Sequence, residues 1–130
     1  DAEVQAMSQH YDQNNNCLYL VAEINGEIVG GCGIAPFDSE NDICELRKLF
    51  LLPNSRGLGI GKQLVTQCLI FAKQRRFQRC YLDTKKNMTT AIQLYKSFGF
   101  SELEQPLGNS IHNGCDVWML ADLGEIHLPE

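Results

Sequence analysis

Apolar and polar positions alternate over residues 17–24, with Leu18, Leu20, Ala22 and Ile24 on one side, which is the period of a half-buried strand. Asn25-Gly26 follows, and because both residues tolerate positive φ the pair predicts a tight hairpin turn. The return strand is expected over residues 28–34. Its glycines, Gly30, Gly31 and Gly33, weaken it as a strand and point to close approach by another backbone or a ligand. Pro36 is expected to end it, leaving residues 38–42 as a loop. Residues 43–52 alternate poorly and turn apolar toward their end, as a central strand covered on both faces does. From Ile60 the period becomes helical. Ile60, Leu64, Cys68 and Ala72 form one stripe, widened by Val65, Leu69 and Phe71, while Lys73, Arg75 and Arg76 complement the negative end of the dipole.

Cys80 to Thr84 reads as a further short strand, so the unit is strand–helix–strand with a parallel crossover. A second helix is expected over 89–98, with Ala91, Leu94, Tyr95 and Phe98 on its packing side and Gly99 at its left-handed cap. Two closing strands follow, over 100–104 and 116–120, joined by a loop rich in Pro, Gly and Asn. Ahead of the hairpin, residues 1–13 resemble the end of a polar helix carrying Val4, Met7 and Tyr11, broken by Asn14-Asn15-Asn16. The tail over 121–130 shows no pattern, and nothing marks a repeat or a second domain, so residues 1–130 read as a single domain.

Composition narrows the class. A length of 130 residues with 44% hydrophobic and 21% charged positions suits one globular core. No apolar run approaches the ~20 residues that span a bilayer, so no membrane partner is expected. The chain opens Asp1-Ala2-Glu3, without a signal-peptide pattern and without Met, and reads as lacking an N-terminal part. A net charge of −5 argues against nucleic acid as a partner and weakly favours cationic substrates such as amines. The six cysteines, Cys17, Cys32, Cys44, Cys68, Cys80 and Cys115, follow neither zinc-site nor disulfide-framework spacing. They read as buried thiols of a reducing, cytoplasmic compartment, with no metal.

Candidate chemistry centres on residues 45–65, where a buried strand runs through a glycine-rich turn into a helix. Such a turn aims several backbone N–H groups, and the positive end of a helix dipole, at one spot suited to phosphate. As a P-loop, Gly57 to Gly61 is one residue short, and Gln63 stands where a hydroxyl is required. As a dinucleotide fingerprint it puts Lys62 at the third glycine, although Asp83 lies near the ribose-acid position. Neither reading fits well.

The run Glu45-Leu46-x-x-Leu49-Phe50-Leu51-x-Pro53-x-x-Arg56-Gly57-x-Gly59-x-Gly61 closely resembles the acetyl-CoA motif of the GNAT N-acetyltransferase superfamily. Ala91-Ile92-x-Leu94-Tyr95-x-x-x-Gly99-Phe100 resembles its second motif, and the likeness extends over residues 17–120. It implies an α/β acyl-CoA N-acyltransferase fold, a mostly antiparallel splayed sheet flanked by helices. It also implies that the strand and helices which open the family fold are missing ahead of the hairpin.

By the same resemblance, the pyrophosphate of acetyl-CoA sits on the backbone of Arg56, Gly57, Leu58, Gly59, Ile60, Gly61 and Lys62. The pantetheine arm lies along Leu49, Phe50 and Leu51, with a backbone N–H near Leu51 polarising the thioester and the apolar side chains in the core. Tyr95 is the candidate acid for the leaving thiolate, and Glu45 is the candidate base, directly or through water. Glu45 also has Arg47 and Lys48 as nearby partners for a purely structural pairing. The family's cofactor-contacting Asn falls at Met88, so Asn87, one place earlier, is the candidate after a shift. The implied activity is acetyl transfer from acetyl-CoA to an amine in a ternary complex, with a small amine or amino acid preferred to a protein acceptor. A second copy of the chain is a candidate partner. A CoA-binding regulatory module without turnover is the alternative.

Overall fold

The computed structural model describes residues 6–12, 16–55, 57–108 and 114–129. In chain order they form β1 (Ala6–Asp12), β2 (Cys17–Ile24), β3 (Glu27–Asp38), β4 (Ile43–Leu51), α1 (Ile60–Gln74), β5 (Arg79–Thr84), α2 (Thr89–Phe98), β6 (Ser101–Leu103) and β7 (Val117–Asp122). The described strands make one sheet in the order β1-β2-β3-β4-β5-β7-β6. Among the described strands only β4 and β5 pair in parallel, as the strand–helix–strand crossover requires.

The hairpin forms as the sequence indicates. Asn25 and Gly26 take φ of 52° and 82°, and Ile24 pairs with Glu27 across the turn. Three expectations are corrected. Pro36 does not end β3: the strand runs on to Asp38, and the register shifts between Pro36 and Asp38, so the proline sits at an irregularity where its missing N–H is tolerated. Residues 39–41 are a single 3-10 turn, closed by Asp42 at φ 55°.

The second correction concerns the N-terminal segment. Residues 6–12 are not helical but form β1, antiparallel to β2 from Ala6↔Glu23 to Asp12↔Cys17, so a strand does precede the hairpin. Met7 and Tyr11 are four apart, a spacing that satisfies both the helical and the strand period, and β2 offered an open edge to pair with. Val4, Asn14 and Asn15 lie outside the described residues.

The third is the tail. Leu123 is 1% exposed, and its N–H donates to the Gln78 carbonyl at 2.9 Å. The His127 N–H reaches the Phe98 carbonyl at 2.8 Å, while Ile126 and Leu128 pack on the core. Apolar residues at 123, 126 and 128 fit no regular period, so periodicity missed them.

The core lies between one sheet face and the helices. Leu18, Leu20 and Ala22 of β2, Cys32 and Ile34 of β3, and Cys44 and Leu46 of β4 are buried with Leu64, Val65, Cys68 and Leu69 of α1. Gly61 of α1 is close to Leu94 of α2: a Cβ there would come within 3.5 Å of it, so the two helices share that face.

Candidate active site

The glycine turn behaves as its composition suggests. Gly57 and Gly59 have φ of 82° and 76°, and a Cβ on either would meet no atom within 4 Å, so these glycines serve a left-handed backbone beside open space. Gly59 is the N-cap of α1, which has no side-chain cap and no acidic residue in its first turn. The Gln63 N–H bonds back to the Gly59 carbonyl at 3.1 Å, so the N–H groups of Ile60, Gly61 and Lys62 precede it at the helix mouth. Lys62 is exposed and Leu58 half-buried, while Ile60 is anchored in the core. Gly61 differs from its neighbours. It is buried, and a Cβ would come within 3.1 Å of Leu51, so its small size also serves the packing of α1 on β4. Arg56 lies outside the described residues.

Beside the turn the sheet forks. β4 pairs with β5 only through Ile43↔Arg79, Cys44↔Cys80 and Glu45↔Tyr81. Beyond that point β4 continues along β3, whereas Leu82 to Thr84 continue along β7. A three-residue step of β4, from Arg47 to Phe50, spans the two-residue step of β3 from Gly33 to Gly31, which is a bulge next to the fork. The Leu52 N–H donates to the Val29 carbonyl at 2.8 Å. By strand alternation the Leu51 N–H then points away from β3, into the fork. Leu49 and Leu51 are half-buried on the core side, but Phe50 is 40% exposed, so not all three side chains are ordinary core. The bulge accounts for this by turning Phe50 onto the same face as Arg47.

Tyr95 lies on the buried side of α2, its ring tilted against Phe100 at 5.9 Å between centroids. Burial, reinforced by the nearby Cys32 of β3 and Cys80 of β5, raises the phenol above its ordinary range. It belongs to the core cluster on the helix side of the sheet. Among the described residues its hydroxyl has no hydrogen-bond partner. Asn87 is exposed in the turn ahead of α2, a helix that also lacks a side-chain cap.

Glu45 is 3% exposed and is the last residue of β4 paired with β5. Arg47 Nε donates to Glu45 Oε1 at 2.7 Å, so the anticipated pairing with Arg47 is present. Two residues apart on one strand, the pair shares a face, and it is the face turned from α1. That orientation follows from β3, where Gly30 packs against Leu64 of α1 and Gly33, opposite Arg47, points the other way. Tyr95 and Glu45 thus flank β4 from opposite sides, with the fork between them.

The Glu45 face carries residues that periodicity alone did not single out. Tyr81, paired with Glu45, is fully buried beneath Phe37, whose ring is 4.7 Å away, and accepts the Leu107 N–H at 3.3 Å. The signal for Arg47 was present in its two-residue spacing from Glu45. None existed for Tyr81, because register across a parallel pair is not written in local sequence.

Residues 1–100 match the model of the acetyltransferase (GNAT) family. An uncharacterized N-acetyltransferase of Escherichia coli K12, YjgM, is 42% identical over 95% of this chain and 74% of its own length. A GNAT-family acetyltransferase from Staphylococcus aureus Mu50 superposes with a TM-score of 0.76 at 25% identity, over 85% of this chain and 70% of that one. The paia N-acetyltransferase of Thermoplasma acidophilum, solved in complex with coenzyme A, superposes with a TM-score of 0.66 at 19% identity, over 82% of this chain and 60% of that one. The chain belongs to the acetyltransferase (GNAT) family.

Proposed function

We propose that the protein moves an acetyl group from acetyl-CoA to an amine by direct attack in a ternary complex. The observation that carries this reading is one juxtaposition. The uncapped mouth of α1, with its two left-handed glycines, opens beside the β4–β5 fork, which Tyr95 and Glu45 flank from either side. Backbone N–H groups around Gly57 to Lys62 suit a pyrophosphate, since they present donors and dipole with no acidic residue in the first turn to compete. Along the fork edge, Leu49 to Leu51 offer main-chain groups to an extended arm. The Leu51 N–H is the donor for the thioester oxygen.

An alkylammonium with a pKa near ~10 has no lone pair to attack with, so it first gives up a proton, which Glu45 accepts through water. The amine nitrogen then bonds to the thioester carbon while the C–S bond breaks. The departing thiolate takes the Tyr95 hydroxyl proton, and the second proton that the nitrogen sheds as the amide forms returns to Tyr95 through water. The raised phenol stays protonated across the working range, as a donor must. The four buried thiols, Cys32, Cys44, Cys68 and Cys80, favour a reducing, cytoplasmic setting.

Calorimetry with CoA tests the first step, and no binding at high micromolar CoA would sink the assignment. Thiol release across an amine panel tests the second. CoA binding without release would mark a regulatory module instead. Tyr95→Phe should lower kcat by about 10²-fold with CoA affinity kept, and an unchanged kcat would leave Tyr95 a core aromatic.

A further inference from the structure

On the Glu45 face, β3 presents glycine where β4 presents its two conspicuous side chains: Gly33 lies opposite Arg47 and Gly31 opposite Phe50. With no Cβ on β3 at these positions, there is room above its backbone for neighbouring side chains. The Tyr19 side chain of β2 takes up part of that room. A Cβ on Gly33 would come within 2.9 Å of its ring, and one on Gly31 within 2.7 Å of both its hydroxyl and the Phe50 ring. The result is an aromatic surface, made by Tyr19 and the exposed Phe50 lying over the glycines, with a guanidinium at the side nearest Glu45.

That guanidinium is held, not loose. The Arg47 Nε–H is bonded to a carboxylate only 4% exposed, whereas the Arg47 side chain itself is 46% exposed. Among the described residues its terminal nitrogens have no partner. Guanidinium carries five N–H donors in a rigid planar fork, and the Glu45 bond uses only one of them. Fixing the stem on a buried acid costs desolvation and contributes little stability, but it aims the remaining donors at the open face. The chain carries 16 acidic against 11 basic residues, so its overall field does not draw anions. A local cation prepared in this way needs a local anion.

Resting on the transferase reading above, the geometry points to an acceptor of amino-acid type, whose free α-carboxylate is bound by Arg47 and whose apolar side chain lies against Tyr19 and Phe50. A carboxylate seated on Arg47 puts the neighbouring ammonium beside Glu45 and the fork. That is where its proton must leave and where the thioester carbon must come. The Glu45–Arg47 pair is the mirror of the zwitterion it receives, with the anion beside the ammonium and the cation beside the carboxylate. A peptide N-terminus has no α-carboxylate on its first residue and is disfavoured.

The test measures CoA release with matched acceptors: leucine, leucinamide and isoamylamine, then phenylalanine, phenylalaninamide and phenethylamine. At least one amino acid should exceed its amide and its decarboxylated amine in kcat/KM by about 100-fold, the size expected when a charged pairing is lost. Arg47→Met also strands the buried Glu45 and should slow every acceptor, but the amino acids should lose about 100-fold more than their amides and amines, erasing the ratio, with CoA affinity unaltered. Arg47→Lys, which keeps a cation and offers a second variant should the first fail to fold, should retain part of the ratio. Equal rates across each set, or an Arg47→Met loss no larger for the amino acids than for their amides and amines, would overturn the proposal while leaving the transferase reading intact. Bound CoA with no release from any acceptor sinks both.

Discussion

At the level of single residues, the proposed reaction asks two things of Glu45, and they can be separated. As a partner it fixes Arg47 through a 2.7 Å bond. As a base it must take the acceptor's proton. Glu45→Gln keeps the shape and a hydrogen-bond acceptor for Arg47 but removes the ionising group. If Glu45 is the base, the acidic limb of the kcat/KM profile should disappear or move, and kcat at neutral pH should fall by about 10²-fold. If it only holds Arg47, the limb stays in place and the change appears in KM for acceptors that carry a carboxylate. An acidic limb identical to that of the parent protein removes Glu45 as base. Tyr95 shows the complementary logic: burial disfavours the phenolate, which suits the donor role proposed for its hydroxyl.

Among the elements, the turn into α1 and the fork beside it are the proposed seat of the cofactor. Gly59→Ala would force a Cβ into a backbone at φ 76°, although no neighbouring atom obstructs it. The expected outcome is a CoA affinity lowered by about 10-fold, from a cap that relaxes toward ordinary φ, with little loss in melting temperature. Calorimetry beside thermal unfolding separates the two, and an unchanged affinity would show that these amides do not hold the phosphates. This turn was legible in the sequence because Gly57, Gly59 and the stripe from Ile60 are local signals. The hairpin at Asn25-Gly26 and the cap at Gly99 were legible for the same reason. β1 was not, because two apolar residues four apart satisfy either period. The continuation of β3 past Pro36 was hidden because a bulge excuses a missing donor. On the site itself, Glu45 and Tyr95 could be named from spacing. That they face β4 from opposite sides, and that Arg47 and Phe50 share a face, depends on a bulge and a register no local pattern records.

For the whole molecule, the sheet divides two environments. One face holds Glu45, Arg47 and the rings of Tyr19 and Phe50. The other is dry and rich in thiols, with Cys32, Cys44, Cys68 and Cys80 packed under α1 and α2 together with Tyr95. Cys68 is raised above its ordinary 9.0 by its hydrogen bond with Cys32 and by burial, and Cys80 by burial and its hydrogen bond with Cys44. Tyr95 is raised above 10.0 chiefly by burial. The consequence for stability has a definite sign. Below pH 9 these groups are protonated whether the chain is folded or unfolded, and they add no pH dependence. Above it the unfolded chain releases protons that the folded chain retains, so the unfolded state binds fewer protons and stability falls as pH rises. Each group fully ionised in the unfolded chain steepens the fall by about 1.4 kcal/mol per pH unit. Urea midpoints should therefore begin to drop near pH 9 and drop faster beyond pH 10, where Tyr95 joins the two thiols. Replacing Cys68 and Cys80 with Ala should flatten the first part of the fall, and Tyr95→Phe the second, because each removes the proton difference it contributed. A midpoint that stays level to pH 10.5 would mean that the thiols ionise inside the folded protein, and hence that this face is wetter than its packing indicates.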